Sequence, residues 1–366
     1  MPELDIFQEA NRQLTICNAC RYCEGYCALF RAIELRRDFT KGDVFYLANL
    51  CHDCRACYYA CMYTPPHEFA VNIPQVMSEV RLVSYRHWSW PDVFGRAFVN
   101  PAISFGLAGL AAGLVVVTAA LFVAPARMFA VHRGPGSFYE VIPYLAMVIP
   151  AVTLFVFAMV IWLAGSIRFW WESGEVPGER TGFKALAGAL RDALGLSNLQ
   201  GGGPGCSYPE EQPRAVRRVY HSFVSWGFLS AFVSTTIAAI YQELFGWLPP
   251  YRLTSAPVIF GCMGGVAMIV GTAGLLWFKC KSDSAPAANG AANLDYIFLG
   301  ILGLASLSGM LTLAFRSTSA VGGLLTIHLG LVAALFITAP YGKFVHFLYR
   351  TLALVKYHIE HNRSHS

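Results

Sequence analysis

The sequence predicts an all-α protein with a cytoplasmic helical ferredoxin-like domain at 1–96 and a six-helix transmembrane, cytochrome-b-like bundle at 97–366. Eight of the 11 cysteines fall between Cys17 and Cys61. Only 13% of the residues are charged, whereas soluble domains carry about 25%. This deficit lies almost entirely after residue 97, where six apolar segments each reach the ~20 residues that a membrane span requires. The net charge of +5 is modest and needs no nucleic-acid partner.

The N-terminal cysteines form two copies of one pattern, C-x2-C-x2-C-x3-C, which is typical of [4Fe–4S] ligands. Because the fourth cysteine of such a run ligates the other cluster, we expect crossed ligation. The alternatives are zinc and disulfides. Zinc sites use their four ligands in pairs and do not require this triplet-plus-one spacing, and disulfides need an oxidising compartment. The polar first 16 residues have no secretory signal, so this end is expected in the cytoplasm. The predicted sets are Cys17, Cys20, Cys23 and Cys61 for the first cluster, and Cys51, Cys54, Cys57 and Cys27 for the second.

Residues 28–37 and 43–50, between the two cysteine runs, are predicted as short helices, and Asp43 is a candidate N-cap for the second. Little here alternates at period two, so strands are not expected. After the second run, Trp88 and Trp90 are expected to be interfacial anchors on the cytoplasmic side, together with Arg81, Arg86 and Arg96.

Six apolar segments follow the N-terminal domain, and the last is longer than a span needs. Basic residues concentrate in the loops after even-numbered spans and in the C-terminal tail, which places both termini in the cytoplasm. The predicted spans are 99–124, 141–165, 221–245, 257–278, 294–315 and 320–348. The inner basic residues are Arg168, Arg180, Lys184, Arg191, Arg214, Arg217, Arg218, Lys279 and Lys281, against Arg127, Arg133, Arg252 and Arg316 outside.

The long inner loop at 166–219 contains an amphipathic stretch at 184–194 and then a glycine-rich run at 201–205. This run does not follow a strand and lacks the G-x-G-x-x-G spacing, so it is a poor nucleotide-binding signal. It can be a flexible turn, or backbone that lies close to a cofactor or partner. Cys206 and Cys280, in or beside inner loops, have no ligand spacing.

Three histidines lie in the apolar region and are candidates for haem ligation, because imidazole is a common axial ligand. His328 and His346 are 18 residues apart, which on one helix is five turns, or about 27 Å on a single face. His221 and His346 both fall near the cytoplasmic face, so they are predicted to ligate one b-type haem. His328 would need an outer partner for a second haem, and none is evident. The alternative is that these histidines only hydrogen-bond to neighbouring helices or headgroups.

Several stretches resemble known proteins. Residues 49–57, NLCHDCRAC, resemble the helical ferredoxin domain of succinate-dehydrogenase-like and heterodisulfide-reductase-like proteins. The whole chain resembles the tricarballylate (citrate) utilisation protein B family. The stretches that carry this resemblance are YRHWSWP at 85–91, GGGPGCSYP at 201–209, RRVYH at 217–221, HLG at 328–330 and PYGKFVH at 340–346.

The resemblance implies an electron-transfer protein of the bacterial inner membrane that performs no substrate chemistry itself. In that family, electrons from the FADH2 of a flavoprotein dehydrogenase, which oxidises tricarballylate, pass through Fe–S clusters toward membrane quinone. The family pattern also suggests a histidine near position 242, where this chain has Gln242, which weakens the case for an outer haem at His328. The alternative function is a membrane Fe–S redox sensor that signals to a partner. A transporter would call for charged residues or broken helices at the midplane, and the sequence has little of either.

Overall fold

A computed structural model describes residues 3–173, 182–203, 205–288 and 291–364. Helices make up nearly all of its regular structure, which confirms the predicted all-α class. Within these residues, strand pairing is limited to two antiparallel two-residue strands in the long loop, β1 (Cys206–Ser207) and β2 (Pro213–Arg214).

The N-terminal domain packs five helices around a core that includes Leu14, Phe45 and Met77. Helix α3 begins at Lys41, two residues earlier than predicted, because Thr40 rather than Asp43 is its N-cap. The Asp43 amide donates to Thr40 Oγ1, and the Thr40 amide donates back to the Asp43 carboxylate, which is a capping box. The five helices are α1 (Glu3–Cys20), α2 (Ala28–Glu34), α3 (Lys41–Leu50), α4 (Ala56–Tyr59) and α5 (Ile73–Trp88).

Two of the predicted interfacial anchors are buried instead. Trp88 is 0% exposed and its indole packs on Phe169 and Tyr349, while Nε1 donates to the Glu172 carboxylate at 2.9 Å. Arg81 is 4% exposed. The anchor prediction was wrong for these residues because helices from the C-terminal half extend past the bundle and cover α5. Trp90, at 51% exposure, remains on the surface.

Six helices are long and apolar enough to cross a membrane, so the chain is a multi-pass membrane protein. Their outer surfaces expose large apolar side chains such as Leu121 and Phe122, as lipid contact requires. The short helices α6 (Asp92–Val99), α8 (Pro125–Met128) and α9 (Ser137–Val141) lie between spans, and α11 (Phe183–Gly195) occupies the long loop. The spanning helices are α7 (Pro101–Phe122), α10 (Tyr144–Glu172), α12 (Val216–Phe245), α13 (Ala256–Lys281), α14 (Ala291–Ala314) and α15 (Val321–Thr338).

The sixth apolar segment, predicted as one helix over 320–348, is broken. Helix α15 ends at Thr338, and Pro340 has no amide to continue the helical ladder. Gly342 is extended, a 3-10 turn at Lys343–Val345 follows, and α16 (His346–Ser364) then starts. His328 and His346 therefore do not share one continuous helical face, and that part of the haem argument was wrong.

Both described ends of the chain lie on the same side of the bundle. The loop after α13 contacts the N-terminal domain, where the Tyr59 hydroxyl donates to Asp283 at 2.9 Å. Helix α16 joins the same domain through Arg36 and Glu360, at 2.6 Å. At the opposite end, the Gly136 amide donates to the Pro249 carbonyl between two connecting loops. These contacts place the loop after α13 and the C-terminal helix at one end of the bundle and the other two loops at the opposite end. That the first end faces the cytoplasm stays a prediction.

Helices α12 and α13 approach each other through glycines, as small residues allow in membrane helix pairs. A Cβ on Gly264 would lie 2.6 Å from the Gly227 carbonyl oxygen and 2.8 Å from the Ala231 nitrogen.

We expect Gly264→Ala to lower the free energy of unfolding by about 1–3 kcal/mol through overpacking. Thermal unfolding in detergent, followed by tryptophan fluorescence, measures this loss. Gly300→Ala, where a Cβ meets nothing within 4 Å, is the matched control and should not destabilise. Equal stability of the two variants would contradict the close helix approach.

Candidate metal centres

The first four-cysteine set lines a small cavity at the edge of the N-terminal domain. Three of its cysteines come from the end of α1 and the turn after it, and the fourth follows α4. Cys20 is exposed, and the exposed side chains Tyr22 and Met62 also line this cavity. The four cysteines brought together here are Cys17, Cys20, Cys23 and Cys61.

The second set lines a separate and more deeply placed cavity. Cys27 is the N-cap of α2 and Cys51 is the C-cap of α3, so helix ends position two of the thiols. Cys51 and Cys54 are buried, at 6% and 9% exposure. The four cysteines here are Cys27, Cys51, Cys54 and Cys57. The grouping of the eight cysteines is the same as in the crossed prediction, in which Cys27 and Cys61 exchange sides.

The chemistry of both sets fits a bound cationic iron core. Burial, followed by repulsion from neighbouring thiolates, raises the pKa of Cys17 and of Cys23 to about 12. Iron would offset that repulsion, since metal binding needs deprotonated thiols. Arg21, Asp53 and Arg55 adopt positive φ in the cysteine loops. Left-handed residues in such loops turn backbone amides inward, a conformation found at many Fe–S sites. Within the described ranges, no three His, Cys, Asp or Glu side chains are placed to hold a single metal ion.

The glycine-rich loop covers the second cysteine set. The Ser207 amide donates to the Cys54 carbonyl at 3.0 Å, and a Cβ on Gly201 would lie 3.1 Å from the Ala56 Cβ. Of the two interpretations offered by the sequence, this packing supports backbone lying close to a cofactor site.

Cys206, in the same loop, is fully buried beside Cys54. Its Sγ–H donates to the Leu199 carbonyl at 3.0 Å. Cys206 could not be recognised by ligand spacing, because it lies 145 residues beyond Cys61, the last cysteine of the second run.

His221 and His346 face each other at the end of the bundle that joins the N-terminal domain. Their ring centroids are 6.1 Å apart and their planes are at 80°. The His346 Nδ1–H donates to the Lys343 carbonyl at 2.7 Å, and the His221 Nδ1 contacts Ser225 Oγ at 3.1 Å. These hydrogen bonds occupy Nδ1 and leave Nε2 of each ring for a ligand. Two metal–nitrogen bonds of about 2 Å plus the two centroid-to-nitrogen distances give a centroid separation of about 6 Å, so these two rings would be able to hold one haem iron between them.

Another histidine lies between this pair and the second cysteine set. His52 follows Cys51 directly, is 6% exposed and donates its Nδ1–H to the Leu50 carbonyl at 2.7 Å. Burial, followed by the neighbouring charge of Arg350, lowers the pKa of His52 well below its usual value, so the ring is neutral. The sequence did not single out His52, although its position inside the cysteine run is a signal that could have done so.

His328 lies away from the other two histidines, in contact with helix α14. Its Nδ1 is 3.1 Å from both the Ala305 carbonyl and Ser308 Oγ, and its ring packs where a Cβ on Gly309 would lie. His132 does not reach it, because that ring contacts Glu140 and the Arg127 carbonyl in a connecting loop. The described residues thus bring no second imidazole to His328.

A buried ion network lies next to the histidine pair. The Asp295 carboxylate on α14 accepts a hydrogen bond from Lys279 on α13 and forms an ion pair with Lys343 at 2.9 Å. Because Lys343 also provides the carbonyl for His346, this network fixes the turn that precedes α16. Phe298 and Phe344 pack against each other and complete the surroundings of His346.

A helical domain with two separate four-cysteine sets, joined to six apolar helices, defines a membrane protein of the iron–sulfur class. Residues 10–87 match the Citrate utilization protein B Fer4-like domain, and residues 100–366 match the Citrate utilization protein B family. The chain is 42% identical to Citrate utilization protein B of Escherichia coli over 358 residues, which cover 97% of this chain and 93% of that protein. This chain belongs to the Citrate utilization protein B family. No solved structure gives a significant match.

Proposed function

We propose that this chain transfers electrons from the FADH2 of a partner flavoprotein dehydrogenase to membrane quinone. By resemblance, the partner is a tricarballylate dehydrogenase, and the membrane is the bacterial inner membrane with residues 1–96 in the cytoplasm. Two [4Fe–4S] clusters and a b-type haem, when bound, would supply the one-electron chemistry that allows a two-electron flavin to discharge singly. The residues of this chain set the positions of these groups and exclude water from the inner ones.

The sites follow one another from the surface of the N-terminal domain toward the membrane bundle, and this order supports the proposal. The first cysteine set reaches the surface at Cys20, where a soluble donor can approach. The second set lies deeper, and its Cys51 is followed directly by His52. Arg350 then connects this set to the histidine pair, because it donates to the Cys51 carbonyl from the helix that begins at His346. Phe30 lines the cavities of both sets, so the surface, the two sets and the bundle follow one another in this order.

A reconstituted assay tests the function. The purified chain, in liposomes containing a quinone, is mixed anaerobically with a photoreduced tricarballylate dehydrogenase-type flavoprotein. We expect flavin absorbance near 450 nm to recover only when both the chain and quinone are present. The Cys57→Ala variant serves as the control, since it removes a predicted ligand of the inner set. A flavin that stays reduced beside a chain with full iron content would contradict the function.

A further inference from the structure

Four arginines surround the second cysteine set, and we call Arg55, Arg81, Arg217 and Arg350 the arginine shell. Two of them bond the same backbone oxygen: Arg81 Nη2 donates to the Cys51 carbonyl at 2.6 Å and Arg350 Nη2 at 2.8 Å. Arg217 Nη1 donates to the Asp53 carbonyl at 2.5 Å. Three helices and the cysteine loop itself thus direct guanidinium groups at one short segment, residues 51–55.

The acidic side chains around this segment do not balance the shell. Within the described residues, its one carboxylate ion pair joins Arg55 Nε and Asp53 Oδ1 at a loose 3.7 Å. Both of these atoms are buried and lack a hydrogen-bond partner. Asp283 accepts from Arg55 Nη1 through its backbone carbonyl, while its carboxylate accepts from the Tyr59 hydroxyl. Asp295, farther into the bundle, is already paired with two lysines. Arg55 and Arg81 are only 3% and 4% exposed. Buried guanidinium groups are costly without a compensating anion, so the shell indicates a strongly anionic group among them.

The first cysteine set has no such surroundings. Its cavity is lined by uncharged side chains besides the thiols. The nearest arginine in the sequence, Arg21, is exposed and donates to the Asn18 carbonyl. The non-cysteine residues of this lining are Ile16, Tyr22, Phe30, Met62, Tyr63 and Val71. Two ligand sets of identical spacing thus lie in different electrostatic environments, the first lined by uncharged side chains and the second bordered by arginines.

This difference bears on redox potential, because a cluster held by four thiolates is anionic and gains one more negative charge on reduction. Nearby positive charge stabilises the reduced state, and the effect is strong where water is excluded. Burial alone opposes reduction, whereas the four guanidinium groups favour it and face only two nearby carboxylates among the described residues, those of Asp53 and Asp283. Cations so placed therefore make the cluster easier to reduce.

We propose that the arginine shell holds the second cluster at a higher reduction potential than the first, and so directs electrons inward. One electron leaves the reduced first cluster and reduces the oxidised second cluster, with no proton transferred and no bond broken. The shell residues act as positioning residues through charge. This inference requires that both clusters be present, but it does not depend on the donor or quinone of the proposed function.

An anaerobic redox titration of the full chain in detergent, monitored by electron paramagnetic resonance, tests the proposal. Dithionite and mediators set the potential, so neither flavoprotein nor quinone takes part. The Cys20→Ala and Cys57→Ala variants, each left with one cluster, assign the signals. In the wild-type chain we expect the signal retained in Cys20→Ala, that of the second cluster, to develop at the higher potential. The opposite order would overturn the proposal.

Arg217 and its neighbour Arg218 offer a matched pair, since Arg218 donates to the Gly195 carbonyl rather than to the cysteine loop. In Arg217→Gln, at the wild-type midpoint of the second cluster, we expect about a tenfold lower ratio of reduced to oxidised cluster, a shift of about 59 mV. The first cluster should not shift. Arg218→Gln should shift the reduction potential of neither cluster.

Arg350→Gln repeats the test if Arg217→Gln does not assemble. Arg350→Lys keeps the charge, so the potential of the second cluster should shift less in this variant than in Arg350→Gln. Unchanged potentials in Arg217→Gln and Arg350→Gln would overturn the role of the shell.

Discussion

Replacing Cys61 with alanine is expected to remove the first cluster and to leave the second intact, although Cys61 belongs to the second cysteine run. The structure places Cys61 with Cys17, Cys20 and Cys23 around one cavity. A cluster held by only three thiolates is easily lost. The iron content should therefore fall to half of the roughly eight atoms per chain expected for two clusters. Iron analysis and electron paramagnetic resonance of the dithionite-reduced variant measure the result.

The identity of the surviving cluster decides between crossed and uncrossed ligation. Under crossed ligation, the signal left in Cys61→Ala matches the one left in Cys20→Ala. The reciprocal variant, Cys27→Ala, then matches Cys57→Ala, because Cys27 lines the cavity of the second set. If Cys61→Ala instead retained the same signal as Cys57→Ala, each run would ligate its own cluster. The paired design needs no absolute assignment of either spectrum.

The two features that the sequence predicted best depend on local spacing. The spacing of the cysteines predicts two sets of cluster ligands, and the six apolar segments predict that the second half is a membrane bundle. Both signals repeat within a few residues or turns, so they are visible without the fold. The break near Pro340 was also readable in principle, since a proline followed by Gly342 is poorly compatible with one long helix. We predicted one continuous helix over 320–348 because the hydropathy is high throughout this segment.

The features that were missed depend on contacts between distant segments. Cys206 meets Cys54, and Arg350 meets Cys51, across 152 and 299 residues of chain. A basic residue beside a membrane span is most simply interpreted as an interfacial anchor, which is how Arg81 was interpreted. Its burial follows only once α16 is seen to cover α5. In this chain the long loop and the C-terminal helix return to the N-terminal domain, and these returns build the environment of the second cysteine set.

Removing either His221 or His346 is expected to abolish haem binding. Each ring can offer one Nε2, and the 6.1 Å centroid separation suits two imidazoles on opposite faces of one iron. Loss of one ligand leaves an open or weak axial position in a site whose other partner is fixed by the Lys343 carbonyl. The chain should be expressed with haem precursor and purified anaerobically. The reduced α-band and the pyridine haemochrome of His221→Ala and His346→Ala then measure the loss.

His328→Ala provides the control within the same chain. Its ring is held by Ala305 and Ser308 on α14, and the described residues bring no second imidazole to it. We therefore expect this variant to keep the full haem content of the wild type. Half the haem in His328→Ala would establish a second, outer haem, as one of the hypotheses from the sequence has it. Full haem in both His221→Ala and His346→Ala would contradict axial ligation by the pair, and the rings would then serve only to join α12 to the start of α16.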